Sequence, residues 1–124
     1  NITLSKLLNR KITMLHSYKK YVKYRIKTPL PSYRQFPCVT PNFDNASRRM
    51  HKGFTAFIGS TPQLYGKWLS SVFEKFKPYS QEENFIFINA WNEWGEGAYM
   101  EPDYGFGYAY LQATYEIIKE KSID

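Results

Sequence analysis

Two glutamates three residues apart, Glu93 and Glu96, stand in the stretch Trp91-Asn92-Glu93-Trp94-Gly95-Glu96-Gly97. If the backbone makes one helical turn there, positions i and i+3 share a side, about 5–6 Å apart at Cβ. Gly95 and Gly97 permit a tighter turn than other residues and leave room for a ligand to approach the backbone. Two carboxyl groups at such a separation divide labour: like-charge repulsion raises the pKa of one member of the pair, which then holds a proton as general acid. The other stays ionised as base, nucleophile or electrostatic stabiliser. Glycosidic bonds call for this combination, a proton for the leaving oxygen and a negative group beside the oxocarbenium-like centre. Retaining enzymes hold the two carboxyls about 5–5.5 Å apart. Sugars also present C–H faces that stack on rings, and hydroxyls that bond to amides and carboxylates. Trp91, Asn92, Trp94, Tyr99, Glu101, Asp103 and Tyr104 offer such groups within a few residues.

Blander roles compete with each of these. Glutamates at i, i+3 are common on solvated helix surfaces, Trp91 and Trp94 suit a core, and Glu101 and Asp103 suit the start of the helix that follows. A cation site built from Glu93, Glu96, Glu101 and Asp103 would need a hard ion and lacks the regular ligand spacing of a calcium loop, so neither metal nor cofactor is expected. His16 and His51 are isolated in sequence and anchor neither a metal nor a triad. No Walker-type glycine loop occurs. A polar loop, Asp44-Asn45-Ala46-Ser47-Arg48-Arg49, supplies further candidates, with Asp44, Asn45 and Arg48 as sugar- or phosphate-binding residues.

The elements that must position these residues alternate between two periods. Residues 84–90, NFIFINA, form an almost continuous apolar run, which predicts a strand covered on both faces as in parallel sheets. Residues 36–43 read as a short buried strand, and residues 53–59 as a strand or an extended loop. Thr61-Pro62 makes a good N-cap and first helical position, and Leu64, Tyr65, Trp68, Leu69, Val72, Phe73 and Phe76 share a face, so residues 62–76 are predicted helical. Helical spacing returns over residues 107–121. At the other end, Leu4, Leu7, Leu8, Leu15, Tyr18 and Val22 predict a helix over residues 3–26, stopped by Pro29 and Pro31. Helix, strand, helix, strand, helix gives an α/β class, and in such folds ligands sit beyond the carboxyl ends of the strands.

Composition bounds the rest. With 124 residues the chain has one domain's length, about half the roughly 250 residues of a (β/α)₈ barrel. Rings make up 19% of it, enough for a dense core or flat faces offered to a ligand. No stretch nears the roughly 20 apolar residues of a membrane span, and the single Cys38 fits a reducing compartment, so a cytoplasmic location is expected. Residues 1–52 hold 12 Lys/Arg and one Asp, while residues 53–124 hold 5 Lys/Arg and 10 Asp/Glu. Lys19, Lys20, Lys23, Arg25 and Lys27 read first as the solvated face of a packing helix and second as a peripheral contact to an anionic membrane surface, with no nucleic acid expected. The start at Asn1 without Met suggests a fragment or a processed product.

The stretch FINAWNEWGEGAYMEPD, residues 87–103, closely resembles the signature of the WbsX-type glycosyltransferase family, itself similar to glycoside hydrolase family 99. PNFDNASRR (41–49) and TPQLYGKWL (61–69) resemble that family's pattern too, so the likeness spans residues 36–114. It implies that the chain is the carboxyl-terminal portion of a (β/α)₈ TIM-type barrel, incomplete at this length. Residues 1–30 would be a basic helix and linker, and residues 31–124 the late barrel strands and helices. It also implies that Glu93 acts as base on the sugar's own 2-hydroxyl and Glu96 as acid/base at the leaving group. Gly95 stands where the hydrolases carry His, so transfer in surface-polysaccharide or lipopolysaccharide assembly and hydrolysis by an endo-acting enzyme both stay open. The implied substrate is a glycan or lipid-linked sugar. The alternative is a non-catalytic sugar-binding remnant of such a barrel.

Overall fold

The structure, a computed structural model, describes residues 13–49 and 53–121. Its first element corrects the amino-terminal helix. Met14–Ser17 is a strand, β1, and the helix α1 runs only over Tyr18–Lys27. Ser17 breaks the pattern by capping: its Oγ accepts a hydrogen bond from the Lys20 amide at 3.3 Å. Residues 14–17 instead find a partner in β3, Thr55–Ile58, in parallel register from Met14 with Thr55 to Ser17 with Ile58. The earlier part of the expected helix lies outside the described residues. Within the segment 53–59, Thr55–Ile58 is therefore a strand, and sheet pairing decides it.

Two further strands are much shorter than expected. Within the segment 36–43 only Cys38–Val39, β2, is a strand, with Val39 buried and Cys38 exposed. It pairs in parallel with Phe87–Ile88, β4. The run 84–90 is not covered on both faces. Ile86 and Ile88 pack against the core, whereas Phe85 and Phe87 stay about half exposed and meet Phe36 edge-on. The alternation is that of a strand with one packed face. Asn92–Glu93 (β5) and Ala98–Tyr99 (β6) form an antiparallel pair. Among the described residues the strands make three two-stranded sheets and no closed barrel, so the class is mixed α/β. No helix there is long and apolar enough to cross a membrane.

Helices organise the core. Helix α2, Pro62–Lys75, begins as the sequence predicts: Thr61 Oγ1 accepts from the Leu64 amide, and Pro62 fills the first position, where no amide is missed. Helix α3 covers Ala109–Lys121. Helix α2 lies between α1 and α3 and packs on both. Its Tyr65, Trp68, Leu69 and Val72 join Tyr18 and Val22 of α1, Val39 of β2, Met100 and Tyr110 in one buried cluster. Rings meet edge-to-face there, as at Tyr18–Phe57 (5.3 Å) and Tyr21–Trp68 (5.4 Å). The Tyr18 hydroxyl donates to the Thr40 carbonyl at 2.6 Å, and burial pushes its pKa well up. Lys75 donates to the carbonyls of Arg25, Ile26 and Thr28, so the end of α2 caps the open end of α1.

The α2–α3 contact is close at Gly66. A methyl added there meets Ile117 Cδ1 at 3.5 Å and Ala113 Cβ at 3.6 Å, ordinary contacts. We therefore expect Gly66→Ala to stabilise the fold by about 0.5–1 kcal/mol, from helix propensity and lost unfolded-state freedom. The midpoint of urea unfolding checks this; a lowered midpoint means the helices cannot take the methyl.

Candidate active site

Residues 92–99 fold as a hairpin. Between β5 and β6 the chain makes one 3₁₀ turn at Trp94–Glu96 and leaves it through Gly97 at φ 58°. This is the left-handed region that suits glycine. The turn puts the two carboxylates within reach of one cation. Arg48 Nη2 donates to Glu93 Oε1 at 2.6 Å, and Arg48 Nη1 donates to Glu96 Oε1 at 3.0 Å. All three side chains are one-third to one-half exposed. Exposed ion pairs of this kind contribute only about 0.2–1 kcal/mol each, so the arrangement does not exist to hold the fold.

Main-chain bonds bring Arg48 there. Asp44 N donates to the Glu96 carbonyl at 2.6 Å, and Ser47 Oγ donates to the Gly95 carbonyl at 2.8 Å. Asp44 Oδ1 accepts from the Ala46 amide, and Asn45 Oδ1 accepts from the Thr55 amide, both at 2.9 Å. Asp44 and Asn45 thus shape the loop and fix it to β3. Gly95 has its own reason: a Cβ there would lie 2.7 Å from Arg48 Nε. The space that the sequence suggests for a ligand is filled by the guanidinium.

The rings and the other carboxylates form a second group beside the first. Trp94 stacks on Tyr99, with centroids 3.7 Å apart and planes 13° from parallel. Its Nε1 donates to Glu101 Oε2 at 2.5 Å. Asp103 Oδ1 accepts from the Phe106 amide, closing a turn. Burial raises the Tyr99 pKa, and the neighbouring Asp103 carboxylate raises it further. Trp94, Tyr99 and Asp103 line a cleft of about 370 Å³ with Asn42, Ser60 and Tyr110. Burial pushes Tyr110 up to about 12, partly opposed by its bond to Ser60. Trp91 and Trp94 are about half exposed and so are not core rings; Asn92 pairs with Tyr99 across the hairpin. Among the described residues no group of three or more His, Cys, Asp or Glu is placed to hold a metal ion.

The family model described as Glycosyltransferase WbsX matches residues 2–114. The chain belongs to the WbsX glycosyltransferase family. It is 42% identical over 87 residues to the uncharacterised protein WxcX of two strains of Xanthomonas campestris pv. campestris. That alignment covers 69% of this chain and 12% of WxcX, so the chain spans a small part of the curated relatives it matches. No solved structure matches it.

In this WbsX-family chain the sequence singles out Glu93, Glu96, Arg48, Trp94, Tyr99, Glu101 and Asp103, and the fold gathers them around one hairpin. Ser47, Asn42, Ser60 and Tyr110 were not among the residues singled out. Ser47 sits in a loop of polar residues, and nothing in its type marks it as the one that bonds to Gly95. The two hairpin glycines should respond differently to alanine. Gly97→Ala imposes a left-handed φ on a Cβ that also meets Asp44 Cβ at 3.1 Å, and it should cost about 1–2 kcal/mol. Gly95→Ala displaces only the far end of the exposed Arg48 side chain, and its effect should stay within about 0.5 kcal/mol. Equal losses in thermal unfolding would contradict this account of the turn.

Proposed function

We propose that this chain carries the reacting carboxylates of an enzyme that makes or cleaves a glycosidic bond, with Glu93 as base and Glu96 as general acid/base. The observation that carries the reading is the convergence of both carboxylates on one guanidinium at the tip of a hairpin whose Trp94–Tyr99 stack opens on a cleft. Family membership supports glycosyl chemistry. The substrate is a glycan or a lipid-linked sugar, and transfer in surface-polysaccharide assembly is the favoured direction. Trp91, Asn92, Trp94, Tyr99, Glu101 and Asp103 hold the sugar, its C–H faces on the rings and its hydroxyls on amide and carboxylate oxygens.

Arg48 has a distinct part. With the site empty of substrate it offsets the repulsion between the two carboxylates and fixes where both point. Asp44 and Asn45 act through the loop that carries it. The larger architecture is the carboxyl-terminal part of a (β/α)₈ barrel, to which β1 and α1 contribute a strand and a helix ahead of those in 31–124. Two features support it: β1 runs directly into α1, and β3 leads into α2 after three residues, with parallel pairing of β1 to β3 and of β2 to β4.

In the intact protein, Glu96→Gln should lower turnover by about 10²–10⁴, the usual contribution of a general acid, while glycan affinity stays near that of the parent. Unchanged turnover sinks the assignment. Glycan binding by a wild-type protein that shows no turnover would instead identify a sugar-binding remnant. Arg48→Ala should lower turnover with little effect on stability, because its ion pairs are exposed. A loss of stability without a kinetic effect would make Arg48 structural.

A further inference from the structure

Helix α1 carries a surface that the glycosyl reading does not use. At 100° per residue, Lys19, Lys20, Lys23, Tyr24 and Lys27 fall within one arc of about 140°. Tyr18, Tyr21, Val22, Arg25 and Ile26 occupy the opposite side, which packs on the core or, for Arg25, over the Trp68 ring. The four lysines are exposed, and among the described residues none of them pairs with a carboxylate. The first turn of the helix holds no acidic residue. Beside the lysines, Tyr24 (62%), Leu15 (59%) and Met14 (49%) are also exposed. Leu15, Lys20, Tyr21 and Tyr24 border an open depression of about 540 Å³.

We infer that this face seats the protein on an anionic membrane surface. Lysines are compact point charges on flexible stems, suited to a field of headgroups and not to bidentate reading of one phosphate. The one arginine of the helix is turned away onto Trp68. Tyr24 on this face, and Leu15 of β1 across the depression from Lys20, are exposed apolar groups of the kind an interfacial surface places at the headgroup boundary, whereas a purely ionic contact with nucleic acid has no use for them. The proposal stands independently of the roles of Glu93 and Glu96.

Co-sedimentation of the intact protein with phosphatidylcholine vesicles, with and without phosphatidylglycerol, tests it. Binding should require the anionic lipid and weaken steeply as salt is raised towards about 1 M. Replacing all four lysines by Gln should weaken it several hundredfold, at roughly fivefold per lysine. A Leu15→Ala/Tyr24→Ala variant should also bind more weakly, which a purely ionic contact would not show. All the altered side chains are exposed, and circular dichroism checks that the variants fold. Equal binding to neutral vesicles, undiminished binding by the four-lysine variant, or tighter binding to duplex DNA than to anionic vesicles overturns the proposal.

Discussion

One guanidinium between two carboxylates is the constraint on which the rest of the site depends. Arg48 lies 45 residues before Glu93 and 48 before Glu96, so the contact needs two distant segments brought to one place. The ion pairs themselves are too exposed to do that work. It falls to the backbone, with Asp44 against Glu96 and Ser47 against Gly95 on one side, and Asn45 against Thr55 on the other. Gly95 is small because the guanidinium lies against it, and Gly97 is glycine because the chain must turn with positive φ beneath Asp44. Each of these features makes sense as a device for holding one cation against two anions.

The scaffold below is built of rings. Tyr18, Tyr65, Trp68 and Tyr110 fill the middle of the helix layer and meet edge-to-face, so their size goes into packing, and the hydroxyls of Tyr18 and Tyr65 find local hydrogen-bond partners. The rings outside that layer do something else. Trp91, Trp94 and Tyr104 stay exposed on the hairpin side, beside the carboxylates of Glu93, Glu101 and Asp103. The high aromatic content thus goes partly into a dense core, partly into a second ring cluster around Phe36, and partly into rings left exposed beside the hairpin.

How much of this could be read in the sequence varies with the physics. Helix α2 was legible to the residue at its start, because a threonine cap, a proline and an apolar stripe all act locally. The strands were not. Met14–Ser17 carries a helical pattern yet pairs with Thr55–Ile58, and pairing with a partner some 40 residues away leaves no local mark. The apolar run 84–90 predicts a strand covered on both faces, but its phenylalanines alternate with its isoleucines, and only the isoleucines reach the core. The candidate site was legible in its residue types, since carboxylates, rings and glycines rarely crowd so closely without cause. Its geometry is legible only in part: the turn that the spacing suggests is there, as a 3₁₀ turn at Trp94–Glu96, but it sits in a hairpin and the space beside it holds the Arg48 guanidinium.

The central claim is that Glu93 and Glu96 act together on one bond. Turnover of the intact protein with Glu93→Gln, with Glu96→Gln and with both tests this most directly. Residues that act as a unit are strongly non-additive, so the double variant should lose about as much as the worse single one. Losses that multiply, or a double variant as active as the parent, would contradict it.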